Sequence, residues 1–423
     1  MSERQDFEGC GREELAVLVR EYLLAGHMID RAGMPQVIGS YGPDAMREVA
    51  IDEWMGASPI YTRRMQQLLG YEGDTVETMF KGIQFDIGSP PQYMDFRFKV
   101  DGPNAGEFWL DSCGALMDVE PMGDDFVVAM CHHIEDPTFD ATACAVNPRA
   151  RVRPIHRPPR LPADRHPHCH WTVVIDPAND AVAEPAPAVR IGASLGASSP
   201  VARPAGRTPD DDPDLLDDYR GPLVDDVHLE DFRRDVLVAI ADEVCLQGHL
   251  LAMAFAAAVE ERFGVDAAIE LGRKQFIGVA GLTADRLRRA LGLGADLDAI
   301  ATVLDLHPAF RPRAYVDAVV EPAPDPSSDA LRFSVGPCPA RDEPREHPWP
   351  ALLRADDAAA LDAIVQAVNP TARCVAVDAE GDRLTWEITL GHEPAKEAPE
   401  VLLTRFSTGA EFVFQDRPRR RAV

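Results

Sequence analysis

The side chains best suited to chemistry crowd into one stretch of this chain. His132, His133, His156, His166, His168 and His170, half of the twelve histidines, fall within residues 132–170, together with Cys131, Cys144 and Cys169. Asp111 and Cys113 lie just upstream. The set lacks the fixed spacing of a zinc finger but is rich in metal ligands. If His168 to His170 is extended, the two imidazoles point to one face about 6 to 7 Å apart, and Cys169 points to the other. By the same alternation Asp111 and Cys113 share a face, while Cys131, His132 and His133 precede a helix, in a loop able to fold over the sheet. The expectation is a divalent metal, zinc or iron, held by His168, His170 and one of Asp111, Cys113 or His133, with Cys131 and Cys169 as further candidate ligands. Metal-bound water would attack a small-molecule substrate while Glu135 or His132 relays protons. A metal-free alternative uses Cys113 or Cys131 as nucleophile with His133 as base. The plainer readings are exposed loop histidines and cysteines that fill core, and Cys144 and Cys245 are read as core.

These residues sit in a chain that is written twice. A shift of 222 residues pairs Gly26-His27 with Gly248-His249, Gly42 with Gly264, Gly56 with Gly278, Leu69-Gly70 with Leu291-Gly292, and Ala-Val-Asn-Pro at 145–148 with the same four at 367–370. So many matches at one offset indicate a tandem duplication. Cys131, His132 and His133 correspond to Leu353, Arg354 and Ala355, and His168, Cys169 and His170 to Arg383, Leu384 and Thr385; Asp111 and Cys113 fall near Ser334 and Gly336. A cluster absent from the sibling copy reads as functional, whereas His27 and His249, present in both, read as packing or hydrogen-bonding residues.

Periodicity supplies the elements that position the cluster. Leu15, Leu18, Val19, Tyr22 and Leu23 share one face of a helix over Glu13 to Arg31, and its counterpart runs from Glu230 to Glu261. A second helix begins near Gly42-Pro43-Asp44 and a third after Ser58-Pro59. From Tyr93 the period becomes two: Phe96, Phe98 and Val100 lead through the turn Asp101 to Asn104 into Glu107 to Cys113, a hairpin. A helix over Thr138 to Val146 and strands over Ala150 to His156 and His168 to Asp176 follow. The fold class is therefore α+β, a tandem duplication of a module with a helical layer followed by a β-β-α-β-β antiparallel sheet. Residues 1–180 form the first repeat and 227–423 the second, a degenerate scaffold. Residues 181–226, dense in Pro, Ala, Ser and Asp, read as a partly disordered linker.

Composition narrows the function classes. With 70 acidic against 42 basic residues and a net charge of -28, nucleic acid and anionic membrane surfaces are poor partners. The N-terminus carries no basic segment followed by an apolar run, and no apolar stretch approaches the roughly 20 residues that span a bilayer, so a cytoplasmic protein is expected. Nucleotide-binding loops and a nucleophile elbow are missing.

The helical layer, hairpin, helix and closing strand ending in Cys169-His170-Trp171 resemble the L-2-amino-thiazoline-4-carboxylate hydrolase family and, more loosely, the 4-vinyl reductase ligand-binding domain, over residues 93–176. The resemblance implies a small-molecule pocket between helices and sheet, with Cys169 as the closing cysteine. The chain departs from both where Asp164-Arg165-His166-Pro167 replaces their glycine-containing turn. The functional expectation is a small-molecule enzyme, a metal-assisted hydrolase, sited in the first repeat. The alternatives are a non-catalytic ligand- or metal-binding regulator and a structural subunit docking a partner protein. The paired copies suggest an intramolecular pseudo-dimer.

Overall fold

The computed structural model describes residues 7–208, 212–325, 328–345, 347–377 and 381–418; the first six residues, part of the N-terminal reading above, lie outside them. The first repeat opens with α1 (Arg12–Tyr41) and α2 (Pro43–Leu69). Both outrun their expected limits. Buried Met34 and Val37 carry α1 through Pro35, and buried Ala57, Ile60 and Tyr61 carry α2 across Ser58-Pro59, so the proline starts no third helix. After α3 (Val76–Ile83) come β1 (Met94–Gly102) and β2 (Ala105–Cys113), then α4 (Gly114–Val119) and α5 (Asp124–Val128). Residues Ala129–Ile134 form a π-helical turn continuous with α6 (Glu135–Cys144), so Cys131, His132 and His133 belong to a helix and not to a loop. Strands β3 (Ala150–His156) and β4 (Cys169–Ile175) complete a sheet of order β1-β2-β4-β3, antiparallel throughout.

Beyond it the expected linker contains α7 (Ala186–Gly192) and α8 (Leu195–Ser198). The second repeat then follows the same plan with α9 (Arg234–Phe263), α10 (Val265–Ala290), α11 (Leu297–Leu306), β5 (Ala318–Pro322), β6 (Leu331–Val335), α12 (Pro339–Asp342), α13 (Trp349–Leu352), α14 (Ala359–Val368), β7 (Ala372–Ala376), β8 (Leu384–Leu390) and α15 (Pro399–Thr404). Its sheet order, β5-β6-β8-β7, repeats that of the first. In both sheets one face buries the same anchors: Phe108 beside Trp171 in the first, Phe333 beside Trp386 in the second.

The repeats do not bury separate cores. Helix α1 packs on α9 and α10, α2 packs on α9, and one cluster of buried apolar residues runs from Phe7 to Ala410 through both halves. This explains α9, which by length and composition is apolar enough to cross a membrane, against the expectation for this chain; 89% of its apolar window is buried in the protein.

The tails are exchanged between repeats. Ser194, Gly196 and Ala197 of the expected linker match Ser407, Gly409 and Ala410 at the end of the second copy, and the two segments dock alike. Glu343 of the second repeat accepts hydrogen bonds from Leu195 N at 3.0 Å, Gly196 N at 2.8 Å and the Tyr315 hydroxyl at 2.9 Å. Asp118 of the first accepts from Thr408 N and Ser407 Oγ at 2.7 Å each and from the Tyr93 hydroxyl at 3.1 Å. Arg64, paired with Glu243 at 2.8 Å, also donates to the Ser199 carbonyl at 2.7 Å. Residues 186–199 are thus the ordered tail of the first repeat, clasped by the second. Pro, Ala and Ser there serve short capped helices, which the composition alone reads as disorder. Replacing Asp118 with alanine is expected to cost about 3 kcal/mol in urea unfolding and to expose the chain near Arg405 to protease, because Arg31 and three tail donors lose one buried acceptor.

Candidate functional site

The acidic and imidazole groups expected to meet at a metal are divided between two sides of the first sheet. On the outer side, His170 Nε2 lies 2.8 Å from Glu107 Oε2 and its ring packs on Trp109 and His156. Asp111 is there too, accepting from Arg97 Nε at 3.1 Å and Trp109 Nε1 at 3.2 Å. Cys113 turns inward instead. Between Met94–Phe96 and Leu110–Cys113 the register slips by one residue, a bulge that reverses the alternation, so Asp111 and Cys113 do not share a face. His168 is pinned at the strand end, where its Nδ1 accepts from Cys113 N at 3.1 Å. His132 Nε2 is 2.7 Å from the Pro158 carbonyl, and His133 is exposed. Among the described residues no three His, Cys, Asp or Glu side chains form a set able to hold a metal ion, so the proposed zinc or iron ligands do not fit together. Elemental analysis of His168→Ala and His170→Ala is expected to give the same metal content as the parent protein.

Cys113, Cys131 and Cys169 do converge, on the inner side. Burial first, and then the carboxyl of Glu135, raise all three thiols, Cys113 to about 12. They stay protonated at neutral pH, and the Cys113 sulfur accepts from Leu116 N at 3.3 Å as a helix cap. A thiolate nucleophile is withheld by this environment. The sheet register also gives Cys113 a counterpart after all: with Phe108 matched to Phe333, it falls on Cys338, at the start of α12. Cys113 therefore follows the architecture of both repeats.

On the inner side lies a cavity of about 760 Å³ between α1, α2, the sheet and α6, bordered by Leu403, Phe406, Ser407 and Thr408 from the second repeat, with Phe406 itself largely exposed. Its walls are mostly apolar, and a few polar groups converge on it. From α1 come His27, 4% exposed, and Asp30, 7% exposed. Neither His27 nitrogen makes a hydrogen bond, a backbone group of Ile87 lying near but outside bonding geometry, and Asp30 Oδ1 is equally unpartnered. Arg31 donates to Asp30 Oδ2 at 2.8 Å and to Asp118 Oδ2 at 3.1 Å. Glu53, fully buried close to Asp30 and Arg31, has no partner for either oxygen. Glu135 lines the cavity with Oε2 sequestered and unpartnered, and Asp86 accepts from the Tyr61 hydroxyl at 2.8 Å and from Gly88 N at 2.7 Å. Unpaired polar groups inside a protein are costly, and their concentration here marks the site.

Their proton affinities follow from the same burial. Desolvation lowers His27 to about 3, helped by the Arg31 charge, so it is a neutral imidazole. Desolvation raises Glu135 to about 8 against the pull of Arg157, and raises Asp86 to about 6 against its hydrogen bonds from Gly88 and Tyr61. Glu53 is raised well above an ordinary glutamate by burial and then by Asp30.

The second repeat keeps the histidine and has an acid, Asp357, at the position of Glu135, but there it is paired with Arg273; the other groups are changed. Asp30, Arg31, Glu53 and Trp54 correspond to Ala252, Met253, Gln275 and Phe276, and Asp86 to Pro308. The space is filled: Trp349 stacks on Phe276 with ring centroids 5.3 Å apart, lies 6.0 Å from the His249 ring and donates to Gln275 Oε1 at 3.4 Å. His249 bonds through Nε2 to the Arg311 carbonyl at 2.9 Å, a contact His27 lacks, while its Nδ1 has no partner. His27 was masked in the sequence by its recurrence, while Asp30 and Arg31, one turn beyond it on α1, and Glu53 on α2, all changed in the other copy, carried a signal that the histidine cluster overshadowed.

A second cavity of about 750 Å³ lies beside the C-terminal segment, where Arg286 is paired with Glu21 at 2.8 Å and Arg417 with Asp95 at 2.7 Å. The chain matches no known family model, no curated protein and no solved structure. The reading of the site rests on its own geometry.

Proposed function

We propose that the first repeat is an enzyme chamber for a small, largely apolar molecule, that its chemistry is proton transfer, and that the second repeat is a scaffold that also lends the chamber part of its border. The observation that carries this is the contrast between two homologous positions: an open cavity with unpartnered His27, Asp30, Glu53 and Glu135, and a sibling space plugged by Trp349. Buried acids without partners are kept where they act.

Two carboxyls from different elements are displaced to opposite sides of neutrality, the arrangement that lets one donate and the other accept a proton. Glu135 is the donor, Asp86 with Tyr61 the acceptor, and neutral His27 an orienting acceptor. Hydrolysis is the simplest reaction of this kind, since it needs only water. With a substrate in hand, kcat/KM is expected to rise through about pH 6 as Asp86 ionises and fall through about pH 8 as Glu135 loses its proton. The test is turnover of a panel of small aryl esters and amides by the parent protein beside Glu135→Gln and Asp86→Asn. Loss of at least about 100-fold in each variant supports the reading. Turnover unchanged by either substitution removes the assigned roles, and binding without turnover makes the protein a ligand carrier or sensor.

A further inference from the structure

Charge and wall chemistry narrow the ligand of this same chamber. Among the described residues the guanidinium at the cavity is that of Arg31, already spanned by two carboxylates: against burial it holds Asp118 low, while burial raises Asp30, and the acids outnumber the base before any ligand enters. Asp30 keeps one oxygen free of any hydrogen bond, and both nitrogens of neutral His27 lie one helical turn away on the same wall. Asp30 Oδ1 is a nine-tenths buried acceptor on the cavity wall, and a neutral imidazole accepts at one nitrogen and donates at the other, so His27 adds one further buried acceptor. An entering anion would meet repulsion from two carboxylates in a low-dielectric space; an entering cation would balance them. The remaining wall suits a cation with an apolar body. Trp54, Tyr61, Phe96, Phe108 and Phe139 present aromatic surfaces. Seven of the twelve methionines line the cavity, Met79, Met94 and Met130 among them, a polarizable surface that adapts to ligand shape.

We infer that the chamber selects apolar molecules bearing one protonated amine, the ammonium seated on Asp30 and His27 and the apolar body among the aromatic and methionine side chains. The inference rests on the proposed function above for the location of the site, but not for its chemistry. It accounts for the lone oxygen of Asp30, which the proton-transfer roles leave unused.

The experiment compares three probes of one shape, 4-phenylbutylamine, 4-phenylbutanol and 4-phenylbutyrate, titrated into the full chain at pH 7 and low salt, with calorimetry and tryptophan fluorescence as readouts. The amine is expected to bind at least about tenfold more tightly than the alcohol, and the carboxylate more weakly than both. Asp30→Asn is expected to abolish the preference for the amine while leaving affinity for the alcohol within about threefold; Asp30→Glu should restore part of it. If Asp30→Asn fails to fold, the order of the three probes on the parent protein decides alone. Equal binding of amine and alcohol, or tightest binding of the carboxylate, overturns the amine assignment and leaves the chamber standing. Failure of all three to bind overturns both.

Discussion

Removing the indole of Trp349 is expected to cost the protein about 3–5 kcal/mol of unfolding free energy, the range for deleting a large aromatic from a packed core. Trp349 is 5% exposed and lies parallel to Phe276, and its one polar atom donates to Gln275. Trp349→Ala strips all of this and leaves space beside His249 and Gln275 that the first repeat keeps open by design of its sequence. Because one core runs through both repeats, the loss should appear as a shift of the whole urea transition and not as early melting of one half. The variant should also acquire affinity for apolar probes in the second repeat, read as a second site in calorimetry. A cost below about 1 kcal/mol would mean that Trp349 does not fill the space equivalent to the first cavity.

Glu53→Gln should act in the opposite direction and stabilise the protein, increasingly so as pH rises. Its carboxyl has no partner, and burial holds its folded pKa well above the ordinary value of 4.5. Above pH 4.5 the unfolded chain releases this proton while the folded chain retains it, so the unfolded state binds fewer protons and stability falls with pH. Glutamine has no proton to release. The gap between variant and parent should therefore widen by about 1.4 kcal/mol per pH unit above the ordinary glutamate range until the folded carboxyl itself ionises. Melting of both proteins at pH 5, 6, 7 and 8 measures it, and a pH-independent gap would place Glu53 in a solvated or paired setting. The second repeat already holds the relieved version, Gln275, at this position. Retaining the acid only beside the open cavity is the pattern of stability given up for function.

Much of the local architecture was legible along the chain. Strands β3 and β4 and the hairpin β1–β2 follow from alternation and turn residues, and the 222-residue offset fixes that one plan is used twice. The limits of that reading lie where distant contacts override local signals. Ser58-Pro59 has the chemistry of a helix start, but buried neighbours on both sides hold α2 continuous. The proline- and alanine-rich stretch after residue 180 has the composition of a tether, yet Glu343 of the sibling repeat and Arg64 of its own hold it in place.

The site shows the same division. Sequence alone determined that the first repeat differs from the second in its reactive side chains, because an asymmetry between copies needs no coordinates to be seen. It did not determine which of those side chains meet. A single extra residue in β2 sends Asp111 and Cys113 to opposite faces, and strand alternation then leaves His170 outside and Cys169 inside. Only the packing of α1 and α2 against the sheet, with Phe406 and Ser407 arriving at its border from the far end of the chain, gathers His27, Asp30 and Glu135 on one cavity. Periodicity is a property of neighbours along the backbone; a cavity is made by elements hundreds of residues apart, and its chemistry is set by the water they exclude.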